Sequence, residues 1–325
     1  MKQKYLFITL MIALSIILAS CGGNNNDSED SENDNDELDT RIATIATGGS
    51  SGPYNVIATT LTEAYSSELG INSKTQTTGA SVENMNLLKD EKVEMAFVMS
   101  DALTQGLEGE ENFDEQIDNV EHVATLYPNF VQVVTTEDSG IDTLDDLKGK
   151  RVAVGDQNSG VEVNAKELLE GHDITYDDID VDYLGYEEAA EGIQSGQIDA
   201  AFLTSGLPNS SVMELSESID LKLVTIEKDK VEEIAEDKDY FIAEEIPEGT
   251  YDNDEPIETA AIMNALVVRS DLSEGDVYQL TETLFDNLDE LENSHQAAGD
   301  INVDDAQENT VAPMHPGAEK YYDEQ

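Results

Sequence analysis

Five times along this chain an apolar run ends in a short Gly/Ser/Thr loop and a helical pattern begins. The loops fall at residues 47–52, 77–81, 100–101, 155–160 and 204–206. Strands alternating with helices in this way predict an α/β architecture with mostly parallel sheets. In such sheets ligands sit beyond the carboxyl ends of the strands, where helix N-termini offer free N–H groups and partial positive charge. Each loop has a local explanation by itself, since Ser and Thr cap helices and Gly turns corners. Five of them on one rim make a candidate site for a carboxylate or another anion. Thr204, Ser205 and Gly206 form the last of the five.

The pattern predicts a strand over "RIATIAT" and a helix over residues 53–69, with Pro53 in its first turn. "VEHVATLYP" and "FVQVVTTED" read as two adjacent strands, and "SEGDVYQLTETLFDNLDELENS" as one long helix. Ser159 and Glu162 match a capping box. Two long apolar strands, "FVQVVTTED" and "AAIMNALVVRSDL", have no helix directly before them. They read as paired crossovers between two lobes, near residues 128–136 and 260–268. Residues 41–132 would begin the first lobe, 133–256 form the second, and 257–325 return to the first.

Residues 1–20 carry Lys2 and Lys4 ahead of an apolar run that is short for a spanning helix. Leu18-Ala19-Ser20 then precede Cys21, the only cysteine. This pattern resembles a bacterial lipobox, so residues 1–20 are expected to be a lipoprotein signal peptide. Acyl chains on Cys21 would hold the protein on the outer face of a membrane. Residues 21–40 are acidic and nearly devoid of apolar groups, and are expected to be a disordered tether.

Acids outnumber bases by 72 to 16, for a net charge of −56. Nucleic-acid binding is excluded for want of a basic footprint. Because the acids are spread along the chain, the protein is expected to be adapted to a saline habitat, where salt screens self-repulsion. Past the leader the only arginines are Arg41, Arg151 and Arg269, all outside the loops. No bidentate clamp for a carboxylate is apparent, so amides and hydroxyls would have to hold an anion.

The stretches "IATGGSSGPYNVIATTL", "TTGASVENMNLLKDEKVEMAFVMSDA", "LKGKRVAVGDQNSGVEVNAKELLE", "GQIDAAFLTSGLPNSSVMEL" and "HPGAEKYY" together resemble the TAXI family. These are extracytoplasmic solute receptors of TRAP transporters. The resemblance implies a two-lobed type II periplasmic binding protein fold with a ligand cleft between the lobes. It also implies delivery to TRAP membrane subunits driven by an ion gradient, commonly Na⁺, and solutes such as glutamate, glutamine or 2-oxoglutarate-like acids. The family's first loop falls on Gly48, Gly49, Ser50, Ser51 and Tyr54. Its Thr-Gly-Gly-Ser-Val-Glu-Asn motif falls on Thr78, Gly79, Ser81 and Asn84, and its Ser-Asp on Ser100 and Asp101. Its Gly-Ser-Gly-Thr loop falls on Asn158, Ser159, Gly160 and Val161, and its Thr-x-Gly-x-Pro on Thr204, Gly206 and Pro208. Two departures stand out. Tyr54 lacks the usual neighbouring ring, and Val161 replaces a Thr. A monomeric binding protein without cofactor or metal is expected.

The competing reading is a secreted serine hydrolase. Residues 48–52 spell G-x-S-x-G, which would make Ser50 a nucleophile. An elbow of that kind needs an oxyanion loop from earlier strands and a His, for which only His122, His172, His295 and His315 exist. Before Ser50 there is a single strand. The run Asp180, Asp182, Gly185, Glu191 approaches a calcium loop, but Leu184 takes a ligand position and the acids read as a strand's wet face. One cysteine rules out the Cys/His zinc patterns, and Gly149-Lys150-Arg151 lacks the rest of a phosphate loop.

Overall fold

A computed structural model describes residues 38–325. The expected leader, Cys21 and the tether as far as residue 37 lie outside the described residues. The fold begins earlier than residue 41. Leu38, the one apolar residue in that acidic stretch, is buried, and the Asp276 carboxylate accepts the Asp39 and Thr40 amides at 2.9 and 2.8 Å. These two bonds tie the end of the expected tether to the domain.

The chain then alternates as its pattern requires. β1 (Ile42–Ala46), α1 (Pro53–Glu68), β2 (Asn72–Gln76), α2 (Ser81–Lys89), β3 (Met95–Met99) and α3 (Ser100–Glu108) come first. β4 (Val120–Thr136) carries the chain onward to β5 (Arg151–Ala153), α4 (Gly160–Gly171), β6 (Asp180–Asp182) and α5 (Tyr186–Gln194). β7 (Ala200–Ser205), α6 (Ser210–Ser216), β8 (Leu221–Leu223), α7 (Lys228–Ala235) and β9 (Phe241–Ile246) follow. β10 (Ile257–Arg269) returns, and α8 (Glu274–Asp286), α9 (Leu288–Ser294) and α10 (Pro316–Asp323) close the chain.

The strands form a mixed sheet in the order β2-β1-β3-β10-β4-β7-β5-β6, with β8 on β4 and β9 on β10. Pairs β1–β2, β1–β3, β5–β6 and β5–β7 are parallel, while β4 and β10 run antiparallel to their neighbours. Partners change along the two long strands. β10 pairs with β3 through residues 264–268 and with β9 through residues 257–262. β4 pairs with β10 through residues 120–130 and with β7 from Phe130 onward. Two half-sheets therefore share a central two-stranded ribbon.

Burial on both faces explains the unbroken apolar run "MAFVM" of β3, whose five residues are all buried. On α1, Tyr54, Ile57, Ala58, Leu61 and Tyr65 recur at helical spacing and form its buried stripe.

β4 is one strand where the pattern suggested two. Pro128 lacks an N–H and normally ends a central strand. Here the β4–β10 register slips between Met263 and Ala265, a bulge beside Pro128, and the Asn264 amide donates to the Tyr127 carbonyl. The long C-terminal helix is in turn two. Its break lies at Asn287, whose side chain donates to the Thr283 carbonyl at 2.8 Å. The capping box is half made. Ser159 Oγ accepts the Glu162 amide at 3.0 Å, but the Glu162 carboxylate accepts the Tyr176 hydroxyl at 3.2 Å. α7 and β9 were not legible as elements. α7 buries only Val231 and Ile234, too few to stand out among its charges.

Candidate functional site

Strand-end loops of both half-sheets converge on one cavity of about 250 Å³. From the first half come residues 48–54, with Thr77, Gly79, Ala80 and Met99. From the second come Gly155, Asp156, Ser159, Val161, Thr204 and Ser205, and the turn at residues 184–188. Asn129 of β4 lies on the wall. The N-termini of α1, α4 and α5 all open here, capped by Gly52, Ser159 and Gly185. Gly52 and Gly185 have no capping side chain; with Pro53 lacking an N–H and the Asn55 amide bonded to the Gly52 carbonyl, the Tyr54 amide of α1 and the amides of residues 186–188 of α5 remain available to a ligand.

The first loop is a tight turn closed by Gly52 N–H on the Gly49 carbonyl at 3.1 Å. Its end is anchored by Asn84, whose amide donates to the Thr47 and Phe97 carbonyls at 2.6 and 2.8 Å. The halves touch at the edge of the cavity. Ser210 donates to the Ser51 carbonyl at 2.9 Å, and the Tyr186 ring lies against Gly52.

Tyr54 is buried, with its ring 5.1 Å from Phe97 and its hydroxyl accepting from Asn129 at 2.9 Å. Burial holds its pKa well above the usual phenol value. Tyr186 supplies a second ring from the opposite half, fixed by its hydroxyl on the Thr204 carbonyl at 2.5 Å.

Of the residues expected at the site, Gly48, Gly49, Ser50, Ser51, Tyr54, Gly79, Ser159, Thr204 and Ser205 line this cavity. The others do not. Thr78 and Asn84 bond each other at 2.7 Å behind the first loop, and Ser81 Oγ accepts the Met99 amide at 3.1 Å. Gly160 is a close-packing residue, because a β-carbon there would lie 2.4 Å from Met99 Cε. At Gly206 one would lie 2.5 Å from Ala297 Cβ. Ser100 and Asp101 open α3 as buried residues. Asp101 faces α4 instead, with Oδ1 on the Ala102 amide at 2.7 Å and Oδ2 3.5 Å from Asn164 Nδ2. Burial, with Glu167 nearby, pushes its carboxyl up to about 7. Short polar residues after a strand can either face the rim or bind the helix to the sheet, and spacing does not separate the two.

Sequence reasoning missed Asn129 and the turn at residues 184–188, and it did not single out Asp156 within the fourth loop. That turn repeats the strand–Gly–helix junction of the five loops, at "LGYEE". Asn129 was signalled by a polar residue inside an apolar strand.

Residues 45–325 match the family described as NMT1-like. The chain belongs to the NMT1-like family. Solved structures share the fold of this NMT1-like chain at low identity. One from Bordetella bronchiseptica has 16% identity and a TM-score of 0.55, covering 79% of this chain and 76% of its own. The binding protein component of an ABC phosphonate transporter from Pseudomonas aeruginosa has 14% identity and a TM-score of 0.54, with 80% of each chain covered. A putative L-cystine ABC transporter protein from Listeria monocytogenes has 17% identity and a TM-score of 0.50, covering 80% of this chain and 97% of its own. The mixed α/β fold is therefore shared with the binding protein component of that phosphonate transporter.

Proposed function

We propose that this protein is the extracytoplasmic solute-binding component of a membrane transporter. The observation that carries the reading is the cavity, built by loops from both half-sheets across a shared ribbon. Residues 41–132 and 257–325 act as one lobe and 133–256 as the other, closing about β4 and β10 on a solute. A solute that touches both loop sets binds the closed state more tightly and so favours it. The neighbours from P. aeruginosa and L. monocytogenes carry transporter names, which supports this role. The strand-end motifs favour a TAXI-type receptor that hands its solute to TRAP membrane subunits. The solute would be small and carboxylate-bearing, its anionic end at the amides of α1 and α5 and the hydroxyls of Ser50, Ser51 and Thr204. Lipid on Cys21 would hold the monomer at the membrane.

The hydrolase reading finds less support. The four histidines bond elsewhere: His122 to Thr125, His172 to Leu168, His295 to Ala297 and His315 to Gly317. None of them lines the cavity with Ser50.

Calorimetry on the purified mature protein in molar NaCl, with glutamate, glutamine, 2-oxoglutarate and succinate, tests the reading. X-ray scattering with and without the bound solute should show compaction. Ester hydrolysis lost in Ser50→Ala, with no solute binding, would overturn it.

A further inference from the structure

The charged side chains lining the cavity are Asp156, Glu187 and Glu188, and among the described lining residues none is Lys, Arg or His. Two of these acids converge. A β-carbon placed on Gly185 would lie 2.9 Å from Asp156 Oδ2 and 2.9 Å from Glu188 Oε2, so one group can meet both carboxylates. Partial desolvation first, then Glu188, and last Glu83 from the opposite half raise the Asp156 pKa. The closed mouth thus brings acids of both halves together with no base between them.

So acidic a chain would place carboxylates at the mouth of many clefts. A second observation, inside the cavity, distinguishes this one. Asn129 is 1% exposed and lines the wall. Its Nδ2 donates to Tyr54, while its Oδ1 has no hydrogen-bond partner among the described residues. A buried acceptor without a donor is costly, and a ligand N–H would satisfy it. Three bases of the second half are engaged elsewhere. Arg151 holds Asp199 at 2.6 Å, Lys166 holds Glu111 at 2.9 Å, and Lys238 holds Glu167 at 2.5 Å.

We infer that the solute carries a cationic nitrogen seated between Asp156 and Glu188, and that its net charge is zero or positive. This rests on the solute-binding reading of the cavity. It narrows that reading, because a solute with one carboxylate and an amine fits, whereas succinate, 2-oxoglutarate and glutamate bring excess negative charge to an acidic mouth. Molar salt shortens the reach of charge to about 3 Å but leaves contacts at hydrogen-bond distance in force.

The test is calorimetry in molar NaCl with lysine, glutamine and putrescine against glutamate, 2-oxoglutarate and succinate. It is repeated on Glu188→Gln and Asp156→Asn, both at exposed positions. At least one of the amines lysine, glutamine and putrescine is expected to bind and the net anions to fail. Each variant should weaken the amine about tenfold or more. Tighter binding of glutamate, succinate or 2-oxoglutarate than of all three amines overturns the charge rule and leaves solute binding standing. Unchanged amine affinity in both variants also overturns it. No heat with any of the six, together with no compaction in scattering, overturns the binding reading itself.

Discussion

Replacing Asp101 by Asn should make the protein's stability much less sensitive to pH. Asp101 is fully buried between α3 and α4, and its carboxyl is pushed from 3.8 up to about 7 by burial first and then by Glu167. The folded state therefore holds a proton that the unfolded chain releases near its ordinary pKa. Stability from this group is full below that ordinary value and is lost as pH rises through about 7. Linkage over the interval from about pH 5 to about pH 8 gives a loss of about 2–3 kcal/mol. Asn matches the neutral acid in shape and keeps an oxygen for the Ala102 amide, so it does not incur this loss. For a domain of this size the variant should gain about 4 °C in Tm over wild type on going from about pH 5 to about pH 8. The assay is thermal unfolding by circular dichroism in molar NaCl, with both proteins at both pH values. The many surface acids titrate alike in the two and cancel in the difference. A gap between variant and wild type that stays constant with pH would refute the assignment of a buried, protonated Asp101.

Three further outcomes are expected. Ala80 sits at φ 76°, ψ −144°, where a β-carbon is strained, and the resembling motif has Gly at this place; Ala80→Gly should stabilise by about 1 kcal/mol in chemical denaturation. Ser210→Ala removes a bond that spans the halves, and should weaken solute binding about fivefold in calorimetry while leaving Tm within about 2 °C. With 72 acids against 16 bases, lowering NaCl from molar to about 0.1 M stretches the Debye length from about 3 to 10 Å and should lower Tm; equal melting at both salts would count against salt adaptation.

The alternation of elements was legible because fully buried strands such as β3 leave unbroken apolar runs, and α1 marks its start with Pro53 and its inner face with a regular stripe. The first loop, Ser159 and Thr204 were legible for the same reason, since rim loops follow strands directly. What was not legible depends on distant partners. β4 survives Pro128 only because Asn264, far along the chain, serves its neighbour's carbonyl. Asp101 and Thr204 look alike as polar residues after an apolar strand. One is turned into the α3–α4 contact and the other lies on the cavity wall. The second ring over the cavity was sought beside Tyr54 in sequence, but Tyr186 brings it from the other half-sheet.

The place of β10 between β3 and β4 has a consequence for how the molecule is made. The strand at the centre of the sheet is the last one synthesised. Until residues 257–269 emerge, β3 and the first part of β4 have open edges, and the first half-sheet cannot be completed. Contacts this distant in sequence form slowly. A nascent chain so arranged keeps its first half-sheet unfinished until its C-terminal part is released. For a protein expected to cross a membrane before it works, late closure of the sheet keeps folding behind export.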